Sequence, residues 1–227
     1  MFGVLVMIIG SFPKLLAAVS VAGIIAMSAA SAATLNVTYQ DSTVFGTPNL
    51  SKAVNITSPG YTGAVRVGQF RLSGDSGFGN FLAFCVDLAK FMSTGNSYTT
   101  SSGSAFGATV DGYIDRLFTS AYASVDTAVK GAAFQLALWE IISDTGSGYN
   151  LAGGSFKATA GSAVINQANS YLTGLAGAST GGYSITYLNS NTSQNLVTVS
   201  PVPLPAALGM LGVGIASLFG LRRRKKA

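Results

Sequence analysis

Between residues 34 and 90 the chain alternates short apolar or β-branched runs with Gly, Pro, Asn and Ser punctuation, the pattern of strands joined by turns. The runs at 35–39, 52–57, 64–72 and 80–88 are the predicted strands. In the third, Val65, Val67, Gln69 and Arg71 alternate with Arg66, Gly68, Phe70 and Leu72, so neither face is cleanly apolar. The period then changes. Residues 111–122 set Tyr113, Ile114, Leu117, Phe118 and Ala121 on one helical stripe, and Ser124 is placed to N-cap a second helix running to about Ser143. A third, weaker helix is expected over 161–175. Strand patterns return at 183–188 and 195–200, split by the polar turn Asn189-Ser190-Asn191. The small, polar stretch 93–109 reads as a long loop. Strands first, helices in the middle and strands last imply an α+β domain: an antiparallel sheet or sandwich with an inserted helical subregion.

The two ends follow other rules. Lys14 precedes an almost wholly apolar run to Met27, then the small residues of 28–33, which is the layout of a signal peptide over 1–33. Cleavage within Ala30-Ser31-Ala32-Ala33 leaves Ala33 or Thr34 first; initiation at Met7 gives a more ordinary signal than initiation at Met1. At the other end stands Val202-Pro203-Leu204-Pro205-Ala206, an apolar run over 206–221, then Arg222, Arg223, Arg224, Lys225 and Lys226. The prolines hold the chain extended, so a helix begins only at about Ala206. Its sixteen residues span ~24 Å, slightly short of a ~30 Å hydrocarbon core. The cations beyond it are costly to move through lipid, so they stay cytoplasmic and the preceding chain faces outward.

This tail resembles the PEP-CTERM sorting signal of Gram-negative exopolysaccharide producers, in its Val-Pro-Leu-Pro-Ala variant, with Leu204 where the commoner form has glutamate. The resemblance implies recognition by an exosortase, a membrane transpeptidase, near the proline motif. It implies a sorting tail over 201–227 with a transmembrane helix at 206–221, transient residence in the inner membrane and periplasm, and release to the cell surface or beyond. A plain C-terminal anchor shares the short helix and basic stop.

Setting both ends aside changes the charge picture. Of thirteen basic residues, five form the terminal cluster and one is Lys14, which leaves seven against eight acidic residues over 34–200, a net charge of −1. A nucleic-acid-binding role loses its support, because it needs a basic stripe on the folded part. What remains, rich in Gly, Ser, Thr and Asn and poor in charge, suits a secreted surface domain with a single core.

Two places carry candidate chemistry. Cys85, the only cysteine, sits in Phe84-Cys85-Val86-Asp87 late in a strand. A lone thiol in an exported chain closes no internal disulfide; an intermolecular one is disfavoured by its apolar flanks. Gln135 opens Gln135-Leu136-Ala137-Leu138-Trp139 inside the second helix, beside the only tryptophan. From 131 to 142 only Gln135 and Glu140 are strongly polar and they point in different directions. Gln135 shares its side with Ala128, Gly131, Leu138 and Ile142 and is the buried candidate, which leaves Glu140 to be wet. Attack of the Cys85 sulfur on the Gln135 carboxamide, with loss of ammonia, resolves both oddities as an internal thioester. The bond needs a dry aromatic pocket, for which Phe84, Phe134 and Trp139 are the candidates, and donors on the carbonyl oxygen.

These motifs resemble the thioester domains of Gram-positive surface adhesins, in which an aromatic-Cys-apolar-Asp/Asn motif and a Gln-x-Ala-x-Trp motif supply the bond. The match covers Phe84, Cys85, Val86 and Asp87, then Gln135, Ala137 and Trp139; Phe134 stands where threonine is often found. It implies Cys85 as acyl carrier, Gln135 as acyl donor, Phe84, Phe134, Ala137 and Trp139 around the bond, and Asp87 orienting the strand end or polarising a nucleophile. The expected partner is an extracellular polysaccharide or a surface amine or hydroxyl. Read from the residues alone, a core cysteine and a hydrogen-bonded buried glutamine serve equally.

No complete catalytic constellation is present, so an enzyme is not expected. Gly74-Asp75-Ser76-Gly77 resembles a protease nucleophile loop, but the chain has no histidine to act as base. The same absence and the single cysteine remove zinc sites. The segment 144–150 lacks the carboxylates of a calcium loop and reads as the loop that ends the second helix. Neither metal nor cofactor is expected. The Asn-x-Ser/Thr sequons at Asn36, Asn49, Asn55 and Asn191 follow from an Asn/Thr-rich composition.

Overall fold

The structure, a computed structural model, describes residues 34–144 and 148–202. The signal peptide expected over 1–33 and the sorting helix over 206–221, with Pro203, Leu204, Pro205, Ala206, Arg222, Arg223 and Arg224, lie outside the described residues. Val202, the one described member of the proline motif, is exposed just after the last strand. Among the described residues no helix is long and apolar enough to cross a membrane.

Among the described residues nine strands and three α-helices follow in the order β1 (Thr34–Tyr39), β2 (Ser51–Thr57), β3 (Thr62–Gly68), β4 (Phe70–Gly74), β5 (Gly79–Cys85), β6 (Asn96–Ser102), α1 (Ala108–Ala121), α2 (Ala128–Ser143), β7 (Lys157–Thr159), α3 (Ser162–Gly174), β8 (Tyr183–Asn189) and β9 (Leu196–Pro201). Six strands close a barrel in the order β1-β4-β5-β9-β8-β6, and β3-β2-β7 form a separate sheet; every pairing is antiparallel. The α+β class and the central helices agree with the sequence reading, but the expected sheet or sandwich is a closed barrel. The closing element is β6, which pairs with β1 on one side and β8 on the other. It lies inside the stretch read as a loop. Its Ser/Thr/Asn residues offer little apolar alternation, and only Tyr98 is buried.

The run 64–72 also divides, since β3 belongs to the small sheet and β4 to the barrel. The chain changes sheets at Gly68-Gln69. There a Cβ on Gly68 would run into the Leu50 carbonyl oxygen, which also accepts the Gln69 N–H at 3.3 Å. Only glycine permits that approach. The second helix is capped by Thr127, whose side chain accepts the Lys130 N–H, while Ser124 lies in a preceding 3₁₀ turn. Every residue of α2 from Gly131 to Ile141 is buried, because β2, β3, α1 and α3 surround it. Glu140 is therefore buried too, a correction to the expectation that it would be wet.

Candidate functional site

The site begins where one barrel strand outlasts its neighbour. β4 starts at Phe70, paired with Ala83 of β5, so Cys85 lies two residues beyond the last β4 pairing. On its other side Cys85 still pairs with Leu196, and the following Val86 N–H donates to Asn195 O at 2.9 Å. Successive residues of a strand aim their peptide groups at opposite neighbours. The Cys85 N–H and C=O therefore face the place β4 has vacated.

Gln135 fills that place. Its Oε1 accepts the Cys85 N–H at 2.8 Å and its Nε2 donates to Cys85 O at 2.7 Å, both bonds buried. A carboxamide has the donor and acceptor of a peptide group, so the side chain continues the ladder that β4 abandons. Gly131 brings the helix close enough. A Cβ there would run into Leu50 O, so α2 lies directly on that backbone, and Gln135, one turn later on the same face, reaches Cys85. These two bonds put Gln135 Cδ within about 4 Å of Cys85 N.

The thiol is held as firmly. Its Sγ donates to Asp87 O at 2.8 Å and accepts the Asp87 N–H at 3.3 Å. Burial pushes its pKa up to about 12, with the Asp87 charge adding to the rise; the Asp87 main chain and the Trp139 side chain pull the other way. With that pKa an unbonded Cys85 stays protonated at neutral pH, the poorly nucleophilic form of the thiol. The Asp87 carboxylate itself is engaged elsewhere: it accepts the Ala89 N–H at 2.8 Å and lies 3.6 Å from Lys90 Nζ.

Cys85, Gln135 and Trp139 all line one cleft of about 340 Å³. Val65, Arg66 and Val67 of β3 also line it, as do Lys90, Met92 and the edge-to-face pair Tyr61 and Phe91, ring centres 5.3 Å apart. Phe91 is 66% exposed, more than any other large apolar side chain among the described residues. The other expected wall residues are not on the cleft. Phe84 and Phe134 stack 4.4 Å apart and join Phe118 and Tyr122 in an aromatic cluster of the core, and Ala137 is fully buried. Neighbours in a strand point to opposite faces, and successive helix positions turn by ~100°, so Phe84 and Phe134 leave the site that Cys85 and Gln135 enter. The residues missed by the sequence reading are Tyr61, Phe91, Met92 and Gly131. For the last a signal existed: a glycine in an otherwise apolar helix marks close approach.

Next to Trp139 in α2, Glu140 accepts the Asn150 N–H at 2.6 Å through Oε1, while its Oε2 is buried without a partner. Burial raises its pKa to about 7, against that hydrogen bond and with help from the Asp144 charge. Asp144 accepts the Ser155 and Phe156 N–H groups at 2.6 and 2.8 Å, so both acids tie down the loop after α2. Among the described residues no group of three His, Cys, Asp or Glu side chains is arranged to hold a metal ion.

No protein-family model matches this chain, and no curated protein matches it in sequence. Solved structures to which the chain is similar include the N-terminal domain of the Streptococcus pyogenes pilus tip adhesin Cpa, 15% identical, covering 75% of this chain and 93% of that one with a TM-score of 0.47. The N-terminal thioester domain of a surface protein from Clostridium perfringens is 13% identical, covering 66% of this chain and all of that one with a TM-score of 0.43.

Proposed function

We propose that residues 34–200 are an exported surface domain in which Cys85 and Gln135 join as an internal thioester, kept for covalent capture of a nucleophile. The observation that carries this reading is the pair of hydrogen bonds between the Gln135 carboxamide and the Cys85 main chain. They present the acyl carbon to the residue that bears the thiol. The Cys85 N–H already sits on the oxygen that gains charge when sulfur adds to Cδ, the place of an oxyanion donor. In the first step the S–Cδ bond forms, the C–N bond breaks, and nitrogen leaves as ammonia with the thiol proton. In the second an amine or hydroxyl adds to Cδ, and Cys85 regains its thiol with the proton that the nucleophile gives up.

The same two bonds favour a second reading, a matrix protein in which Gln135 only completes the ladder beside a core cysteine, with its carboxamide fully satisfied. Methylamine separates them. Under the thioester reading, peptide mapping of treated native protein finds methylamine on Gln135 and a newly alkylatable Cys85 in equal amounts. An unmodified Gln135 under those conditions leaves only the matrix role.

Export and sorting complete the proposal. The signal-like residues 1–33 and the Val202–Ala206 motif with its basic stop are read as addresses for secretion and for an exosortase, which delivers the domain to the polysaccharide layer. In a host with its sorting enzyme intact, the exported protein ends near the proline motif. Recovery of Ala227 from fully exported material would instead indicate a plain anchor.

A further inference from the structure

Trp139 follows Gln135 by one helical turn, and both line the cleft with Cys85. The indole is 3% exposed, and its Nε1 is buried without a hydrogen-bond partner. A buried N–H left unpaired is costly, so its persistence asks for a use. One side of the ring packs edge-on against Phe156, centre to centre 5.9 Å, which supplies no acceptor for the N–H. The unpaired N–H and the Cys85 thiol line the same cleft, and the indole pulls the thiol pKa down against the burial that raises it.

We propose that the Trp139 indole N–H is the donor that takes up charge on Cys85 Sγ as the bond to Gln135 is made and as it is broken, an assignment that rests on the thioester reading. A thiol sulfur is a weak acceptor and needs little from a neighbouring N–H, whereas a thiolate is a strong one. The N–H is therefore worth more in the charged state than in the resting one, which is the requirement for lowering a barrier. When the thioester forms, the thiol proton moves to the departing nitrogen while sulfur carries negative charge toward Cδ. When an amine captures the acyl group, the C–S bond breaks, sulfur leaves with the bonding pair, and the amine proton later neutralises it. Both steps pass through a partly anionic sulfur in a dry site, and the unpaired indole N–H lines that site. Trp139 thus acts on a reacting atom.

The chain contains one tryptophan, so growth of a tryptophan auxotroph on benzothienylalanine changes only this position. That analogue keeps the bicyclic shape and puts sulfur where the N–H was. Thermal melting checks that packing is retained. Intact mass and thiol release then follow formation of the bond and its capture by methylamine. The expected result is slower or less complete loss of ammonia and methylamine capture about tenfold slower, at an unchanged melting temperature. A bond that forms fully in both proteins and is captured at equal rates overturns the donor role alone. Natural protein at full sequence mass, with a free Cys85, instead removes the Cys85–Gln135 bond and this role with it.

Discussion

Exchanging Gln135 for glutamate changes one atom and tests the geometry at its centre. The Cys85 N–H still finds an oxygen, but a second oxygen now replaces the Nε2 that donates to Cys85 O at 2.7 Å. Two oxygens cannot share that distance unless the acid keeps its proton and donates it. Burial adds to this: Gln135 is 1% exposed, and a charge there loses its water. The folded-state pKa of Gln135→Glu should therefore stand well above the ~4.3 of the unfolded chain. The sign follows from proton binding. Below about pH 4 both states are protonated and the variant keeps its hydrogen bonds. As the pH rises only the unfolded chain gives up its proton, so stability falls by ~1.4 kcal/mol per unit until the folded pKa is reached. With a folded pKa near or above 7, the loss at neutral pH approaches ~4 kcal/mol relative to acid. Urea unfolding at intervals from pH 4 to 7.5, with the natural sequence alongside so that Glu140 cancels, measures it. Parallel stability curves for the two proteins would refute the burial of this side chain against the Cys85 main chain.

Other outcomes follow from single contacts. Gly131→Ala places a methyl group against Leu50 O and should cost about 1–3 kcal/mol in urea melts, against the ~1 kcal/mol that alanine gains over glycine in a helix. Glu140 carries a pKa of about 7, so it lowers stability progressively between about pH 4.5 and 7, by roughly 3 kcal/mol in all, and not further above. Gln in its place should flatten that slope; an unchanged slope would mean that Glu140 is hydrated. Thr127→Ala removes the cap on the Lys130 N–H and should cost ~1 kcal/mol, whereas Ser124→Ala should leave the α2 N-terminus unaffected.

The elements that local pattern determines were legible: β1, β2, β5, the three helices, β8 and β9 lie close to where periodicity put them. What escaped was set by distant partners. β6 is a strand because β1 and β8 flank it, and nothing in Ser-Tyr-Thr-Thr-Ser announces that. The division of 64–72 depends on Gly68 meeting Leu50, eighteen residues away. Cys85, Gln135 and Trp139, all legible in the sequence, share one cleft; Phe84 and Phe134, expected as its aromatic walls, are turned into the core by strand and helix geometry. The sequence does not show where the buried carboxamide finds its partners. The partners are main-chain groups, exposed only because β4 starts late, and no residue type encodes them. Glu140 would be wet on an amphipathic helix, but α2 has no exposed face.

The central claim is that Cys85 and Gln135 are joined, and intact-mass spectrometry of freshly isolated native protein tests it most directly. The expected domain is lighter than its sequence by one ammonia and has no titratable thiol, native or freshly unfolded, until methylamine releases it, and Cys85→Ala or Gln135→Ala restores the full mass of the variant. A full sequence mass for the natural protein, with a Cys85 that alkylates upon simple unfolding, would contradict it.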